Sequence, residues 1–340
     1  MQREYATKKL MKLTWDSYLD WVEAGAQRLL TWRHARVERR KEKEKRKGPV
    51  REWAEAIVWA VFWVLLINQF IFQLYQIPSS SMEDTLQIKD RLFVNKSIYG
   101  PEIYPGGPKI FDSREPRRYE VIIFENPAYI SRGPLFDVLN RVIYMVTLSL
   151  VNIDRDEDGT PRAQLYVKRN AAVAGDRVFL RDGTLFVQPP GFHEMVKESE
   201  FRLTAGSSYE EKRLLSDEDY RLFTLNARRQ VYEYAGIPLS QEDQLELQRI
   251  RSTPYLVDYY QYAAEYYYEM ITLFPAQQSF RNEYYRYENG FHVPDGYVFP
   301  IGDNRDNSID GRYFGPVPIK TVLGKARVIF WPLSRIGVIR

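Results

Sequence analysis

Three consecutive serines, Ser79, Ser80 and Ser81, stand between Pro78 and Met82 in YQIPSSSMEDTL (residues 75–86). A serine hydroxyl is a weak nucleophile until a neighbouring base takes its proton, and the bases available are histidine, lysine and carboxylate. LYVKRNAAVAGD (165–176) holds Lys168 in an apolar, strand-like run between Val167 and Arg169. A lysine enclosed by apolar side chains loses hydration of its ammonium form, so its pKa falls toward the range where the neutral amine is a general base. Alone, such a lysine reads more often as a solvated edge residue. A third segment, GDNRDNSIDGRYFGPVP (302–318), packs Asp303, Asn304, Asp306, Asn307, Ser308 and Asp310 around Arg305 and Arg312, too polar and too ordered for an ordinary loop. His292 lies just before it, which leaves a Ser/His/Asp triad open beside a Ser/Lys pair.

These residues need a scaffold. With 340 residues, 44% apolar and 27% charged, the chain can bury a full core in one elaborated domain or two. Cysteine is absent, and His34, His193 and His292 show no metal-binding spacing, so neither disulfides nor a thiol- or histidine-built metal centre is expected. The runs DRLFVNKSIYG (90–100), RYEVIIFENP (118–127), QLYVKRNAAV (164–173), DRVFLRDGTLFVQ (176–188), GYVFPIGDN (296–304) and LGKARVIFWP (323–332) are short, β-branched and aromatic, bounded by turn formers. Asp182-Gly183 marks a tight hairpin. The expected core is mainly β, a sandwich or partly open barrel, assembled from residues 76–130, 163–192 and 290–340.

Two stretches interrupt that core. Residues 131–162 include an apolar helical pattern at 134–153, and residues 193–289 form a Tyr- and Glu-rich helical region with capping signals at Ser216 and Ser240. Before the core, residues 33–51 are dense in Arg and Lys, and 54–75 carry about the ~20 residues a bilayer core demands. Nucleic-acid binding is the reading of the basic run that its apolar neighbour displaces. The expectation is a retained single-pass anchor at 54–75, a cytoplasmic arm at 1–53, and all that follows on the outer face. Within the arm, YLDWVEAGAQRLLTW (18–32) also has helical periodicity.

IPSSSMEDTL, YVKRNAAVAGD and GDNRDNSIDGRYFGPVP resemble the signature segments of the bacterial type I signal peptidases, and YEVIIFENP resembles the β segment between the first two. The likeness covers roughly half the chain and omits 1–53, 131–162 and 193–289. It implies a serine endopeptidase of the bacterial inner membrane that removes signal peptides from exported preproteins after Ala-x-Ala. The implied chemistry is a Ser/Lys dyad without metal or cofactor. Position by position, it makes Ser81 the nucleophile and Lys168 the base, and puts the Ser79 hydroxyl with the Ser81 N–H in the oxyanion hole. Ser308 would orient the lysine, Asp310 and Arg312 would form a supporting salt bridge, and Ile77, Met82, Tyr166 and Val167 would line the substrate pockets. The implied partners are signal peptides, membrane lipid and the export machinery, not nucleic acid.

The chain departs from the pattern at Ser80, where a small residue, often Gly, is usual, at Asp84, where Pro is preferred, and at Ala172 and Ala174, where Gly and Pro are usual. Two rivals remain: a soluble self-cleaving peptidase of the repressor type, and a non-enzymatic anchored protein that recruits partners through the Tyr-rich insertion. Residues 134–153 are expected to lie in the outer membrane interface without crossing, because Asp137 and Arg141 interrupt an oily face of Leu135, Val138, Leu139, Val142, Ile143, Val146 and Leu150.

Overall fold

The computed structural model describes residues 22–24, 26–39, 41–42, 48–104, 107–111, 114–250 and 257–339. The chain divides into two compact units, residues 1–62 and 63–340. The basic arm is helical over 22–24, 26–39 and 41–42, and all of 1–21, with part of the basic run and of the periodic stretch 18–32, lies outside the described residues. Helix α1, Pro49–Phe70, carries the apolar run. Ile57, Val58, Trp59 and Phe62 on it are exposed.

The expected anchor at 54–75 is corrected at its far end. The helix stops at Phe70, and β1, Phe72–Gln76, pairs antiparallel with β2, Arg91–Asn95. Gln73 and Tyr75 alternate inward, which belongs to a strand period of two. The unbroken apolar part of α1, residues 56–67, rises only about 18 Å at 1.5 Å per residue, short of a ~30 Å hydrocarbon core. Among the described residues no helix is long and apolar enough to cross a membrane.

The second unit is built on an open eight-stranded antiparallel sheet. Besides β1 and β2 it contains β3 (Val121–Glu125), β4 (Leu165–Val173), β9 (Tyr297–Ile301), β10 (Val317–Pro318), β11 (Val322–Trp331) and β12 (Gly337–Val338). The order is β1-β2-β11-β3-β4-β9-β10, with β12 added to β11. Strand β3 is buried on both faces because the sheet has two cores. Val121 and Ile123 join Leu92, Val94, Ile77 and Met82, while Ile122 and Phe124 join Tyr99, Val298 and Val317.

A second, four-stranded sheet orders β7 (Val196–Lys197), β6 (Thr184–Gln188), β5 (Arg177–Arg181) and β8 (Phe291–His292). Asp182 and Gly183 both take positive φ, so the β5–β6 turn is of the primed kind that the Asp-Gly pair favours. Val178, Leu185 and Val187 of this sheet share a core with Ala171, Ala172, Phe299 and Ile301 of β4 and β9. The two sheets therefore meet at the end of the large sheet where Lys168 lies.

Helix α2, Pro134–Val146, turns its polar side to the protein. Buried Asn140 accepts a hydrogen bond from the Ile153 amide at 3.0 Å, and Arg141 donates to Glu125 at 2.7 Å. Leu135, Leu139, Val146 and Leu150 are exposed. The remaining helices are α3 (Glu198–Thr204), α4 (Asp217–Ala235), α5 (Gln241–Arg249), α6 (Tyr259–Leu273), α7 (Gln278–Asn289) and the single turn α8 (Gly311–Phe314). Ser216 caps α4 in a full capping box with Asp219, and the Ser240 hydroxyl accepts from Asp243 N–H at the start of α5.

Candidate active site

Pro78 ends the extended run from β1, and residues 80–86 coil into turns closed by Glu83 N–H to the Ser80 carbonyl and Leu86 N–H to the Met82 carbonyl. Met82 and Leu86 are buried in the core, which fixes the turn and leaves Ser81 at its tip. Strand β4 lies opposite, with Ile122 of β3 across from Lys168. The Lys168 amine is 2.6 Å from Ser81 Oγ. With the amine neutral, the serine O–H is the donor and the lysine nitrogen the acceptor, which is the geometry of a base poised over its nucleophile.

Lys168 is 3% exposed. Burial pulls its pKa from 10.5 down to about 8, and Arg312 adds to that fall, while Asp310 and Asp303 pull the other way. Asp310 does not recapture the proton because it is held by its own cation. Burial pushes its carboxyl up, but the Arg312 guanidinium at 2.9 Å and the Gly302 N–H hold it below the usual carboxylate range on balance. That pair is almost wholly enclosed, at 0% and 1% side-chain exposure.

Ser308 is placed differently from the expectation drawn for it. Its hydroxyl donates to Asp310 at 2.7 Å, and no hydrogen bond joins it to the Lys168 amine. Gly302 explains how closely these parts approach. A Cβ there would stand 2.2 Å from Ser308 Oγ and 2.6 Å from the Ser81 carbonyl oxygen, so only glycine lets the 302–310 loop seat against the serine turn. Asn304 completes the seat. Its backbone N–H bonds the Ser81 carbonyl and its side-chain amide bonds the Ser80 carbonyl, both at 3.1 Å.

Ser79 Oγ lies 3.4 Å from Ser81 Oγ, on the nucleophile's side of the turn. Ser80 points elsewhere: its hydroxyl accepts from Asn307 Nδ2 at 2.9 Å. The cleft that contains the pair has a volume of about 760 Å³. Ile77, Met82, Tyr166 and Val167 all line it, and so do Ser79, Ser81, Lys168 and Ser308. Tyr166 shares the Lys168 face of β4, while Val167 packs on the opposite core with Ile77 and Met82.

His292 is an exposed residue of β8, paired with Arg177 in the small sheet, and it does not line the cleft. The Ser/His/Asp alternative therefore fails on position. The cleft also has a wall that sequence reading missed. Asn140, Arg141 and Tyr144 of α2, with Ser149 and Leu150 after it, all contribute to its lining. Only the helical periodicity of 134–153 marked this segment, and periodicity carries no sign of what the polar side faces.

A residue set of this kind invites comparison with known proteins. The chain matches the family described as signal peptidase, peptidase S26, over residues 50–331. It belongs to that family. It is similar to signal peptidase I of Haemophilus influenzae, 28% identical over 80% of this chain and 67% of that one. Signal peptidase I of Pseudomonas fluorescens is 24% identical over 85% of this chain and 79% of the relative. A solved signal peptidase I from Enterococcus faecalis overlays 62% of this chain and 97% of its own at 19% identity, with a TM-score of 0.24, too low to bear on the fold. The matched range contains all three signature segments and the β segment between the first two.

Proposed function

We propose that this chain is a type I signal peptidase, a serine endopeptidase that removes N-terminal signal peptides from exported preproteins after an Ala-x-Ala site. The observation that carries the reading is the 2.6 Å approach of the Lys168 amine to Ser81 Oγ inside a cleft where that amine is neutral in the mildly alkaline range. The neutral amine takes the Ser81 proton as Oγ attacks the scissile carbonyl. The developing oxyanion is met by the Ser81 N–H and the Ser79 hydroxyl. The ammonium then gives its proton to the leaving amine, and the same lysine, neutral again, activates the water that clears the acyl group from Ser81. Asp310 and Arg312 set the charge around the base, Ser308 braces Asp310 through its hydroxyl, and Ile77, Met82, Tyr166 and Val167 shape the pockets for small side chains.

The membrane is the second part of this proposal. Helix α1, 22 residues and about 33 Å long at 1.5 Å per residue, is the single anchor in the bacterial cytoplasmic membrane, with its apolar 56–67 run in the hydrocarbon and its more polar ends at the interfaces, and the basic arm stays on the cytoplasmic side. The outward Leu135, Leu139, Val146 and Leu150 face of α2 meets lipid beside the cleft, where a membrane-held signal peptide arrives. Support for this comes from how the helix divides: Asn140, Arg141, Tyr144 and Met145 are spent on the protein, and Leu135, Leu139 and Val146 are left outward.

The deciding experiment incubates detergent-solubilised full chain with a preprotein carrying Ala-x-Ala and sequences the new N-terminus. Cleavage after the second alanine, abolished by Ser81→Ala, is the expected result. Cleavage that survives Ser81→Ala, or none by the unaltered chain across pH 7 to 10, overturns the reading. Val146→Asp with Leu150→Asp is expected to weaken flotation with vesicles and leave cleavage of a soluble peptide intact.

A further inference from the structure

The Tyr-rich insertion is joined to the serine turn through one short stretch. Lys212, between α3 and α4, forms a parallel bridge with Asn304: its N–H bonds the Asp303 carbonyl at 2.8 Å and its carbonyl accepts from Arg305 N–H at 3.0 Å. The next residues continue the seam. Leu215 N–H donates to Asp306 Oδ2 at 2.9 Å, and the Arg213 guanidinium lies against the same carboxylate at 3.2 Å. Asn304, the residue bridged to Lys212, is the one that bonds the Ser80 and Ser81 carbonyls.

The Lys212 side chain then reaches forward over the turn. Its amine is 3.0 Å from Glu83 Oε2 and 3.9 Å from Asp84 Oδ1. Two carboxylates directly after the nucleophile would oppose negative charge developing on a substrate carbonyl oxygen and would repel one another within the turn. Both effects call for a cation, and the insertion supplies it. Lys212 touches the turn at its acidic end and, through Asn304, at its Ser80–Ser81 end.

Resting on the peptidase reading, we infer that Lys212 is a positioning residue for the reaction: the insertion clamps the Ser81 turn through it and neutralises Glu83 and Asp84. The lysine does not line the cleft, so it acts on the rate through the serine turn it holds in place. Of the pocket residues, Ile77, Tyr166 and Val167 lie outside the clamped turn and Met82 within it is anchored in the core, so KM should move less than kcat. Because the ion pair is about one-third exposed, its side chain contributes modestly and the backbone seam carries the rest.

The test compares Lys212→Met, Lys212→Arg, Glu83→Gln, the Lys212→Met/Glu83→Gln double variant and Arg221→Met, all as full chain in detergent. Arg221 pairs with Glu246 within the insertion, away from the turn, and serves as the control. Lys212→Met is expected to lower kcat roughly fivefold with KM within twofold, a factor in keeping with a partly exposed pair acting on geometry. Lys212→Arg should recover most of the loss. The double variant should lose less than the product of the two single losses, as coupled partners do. Hydrogen exchange supplies a readout independent of activity. Amide exchange at residues 81–86 should quicken in Lys212→Met and stay unchanged in Arg221→Met. Unchanged kcat with unchanged exchange overturns the inference, and so does an equal kcat loss in Arg221→Met or multiplicative losses in the double variant. If the unaltered chain cleaves no preprotein, the peptidase reading fails, while the exchange at 81–86 still decides whether Lys212 holds the turn.

Discussion

Two lysines in this molecule are buried almost equally and only one faces a nucleophile. Lys168 on β4 is 3% exposed, and Lys96, just after β2, is 1% exposed. Burial draws both from 10.5 to about 8. Their partners differ. Lys168 meets a serine hydroxyl at 2.6 Å, and its nearest carboxylate, Asp310, is already committed to Arg312. Lys96 meets the Gln73 amide oxygen at 3.5 Å and Glu102 at 3.8 Å, within a cluster that Arg141 also enters. A depressed lysine pKa is therefore a property of enclosure, and chemistry depends on what stands in front of the amine.

The largest separation is expected in turnover. Ser81→Ala and Lys168→Met should each lower kcat by roughly 10⁴-fold or more, as removal of a nucleophile or its base does in serine hydrolases. Lys96→Met, equally buried and equally shifted, should stay within about threefold of the unaltered chain, since no step uses it. A comparable loss in Lys96→Met, measured on a soluble Ala-x-Ala peptide, would break the distinction. Next in size is Ser79→Ala, which removes an oxyanion donor and should cost roughly 100- to 1000-fold in kcat with little change in KM. Retained kcat in that variant would move the donor to another group.

The pH profile sharpens the same contrast. Only the neutral amine accepts the Ser81 proton, so kcat should rise about tenfold per pH unit below the Lys168 midpoint and level off above about 8. Lys96→Met should leave that midpoint in place. Asp310→Asn should lower it, because the nearby carboxylate is the group that favours the ammonium form. A midpoint that follows Lys96 would reverse the two roles.

Much of this site could be read from the chain because it rests on short local patterns. The Ser79–Ser81 turn is bounded by Pro78 and the buried Met82, the Lys168 strand is a short apolar run before Gly175, and Ser216 and Asp182-Gly183 announce a cap and a turn. What could not be read depends on long-range packing. The apolar run hid the start of β1, because Phe72 and Leu74 prolong a helix-like stretch while Gln73 and Tyr75 already alternate as a strand. Ser308 shows the same limit: its neighbour Asp310 takes the hydroxyl that Lys168 could have used. The seam of Lys212 with Asn304, the buried Lys96 cluster and the α2 wall of the cleft join residues far apart in sequence, and none carries a local signature.

The smallest expected effect is on stability, and there the two lysines should behave alike. A lysine whose folded pKa lies below its unfolded value binds fewer protons when folded, so unfolding takes up a proton between the two values. Stability from Lys168 therefore rises with pH from about 8 toward 10.5, and at pH 7 the residue carries its full cost. Lys168→Met keeps the stem and removes that cost, so it should stabilise the fold at pH 7 by up to about 3 kcal/mol, with the gain shrinking as pH nears 10.5. Lys96→Met relieves a burial of the same size, and the pull of Glu102 is already contained in the net fall to about 8, so by the same linkage it should also stabilise the fold at pH 7. Paired denaturant melts at pH 7 and pH 10 decide the matter. Destabilisation by Lys96→Met at pH 7 would mean that the buried Glu102 depends on its cation by more than Lys96 loses through burial.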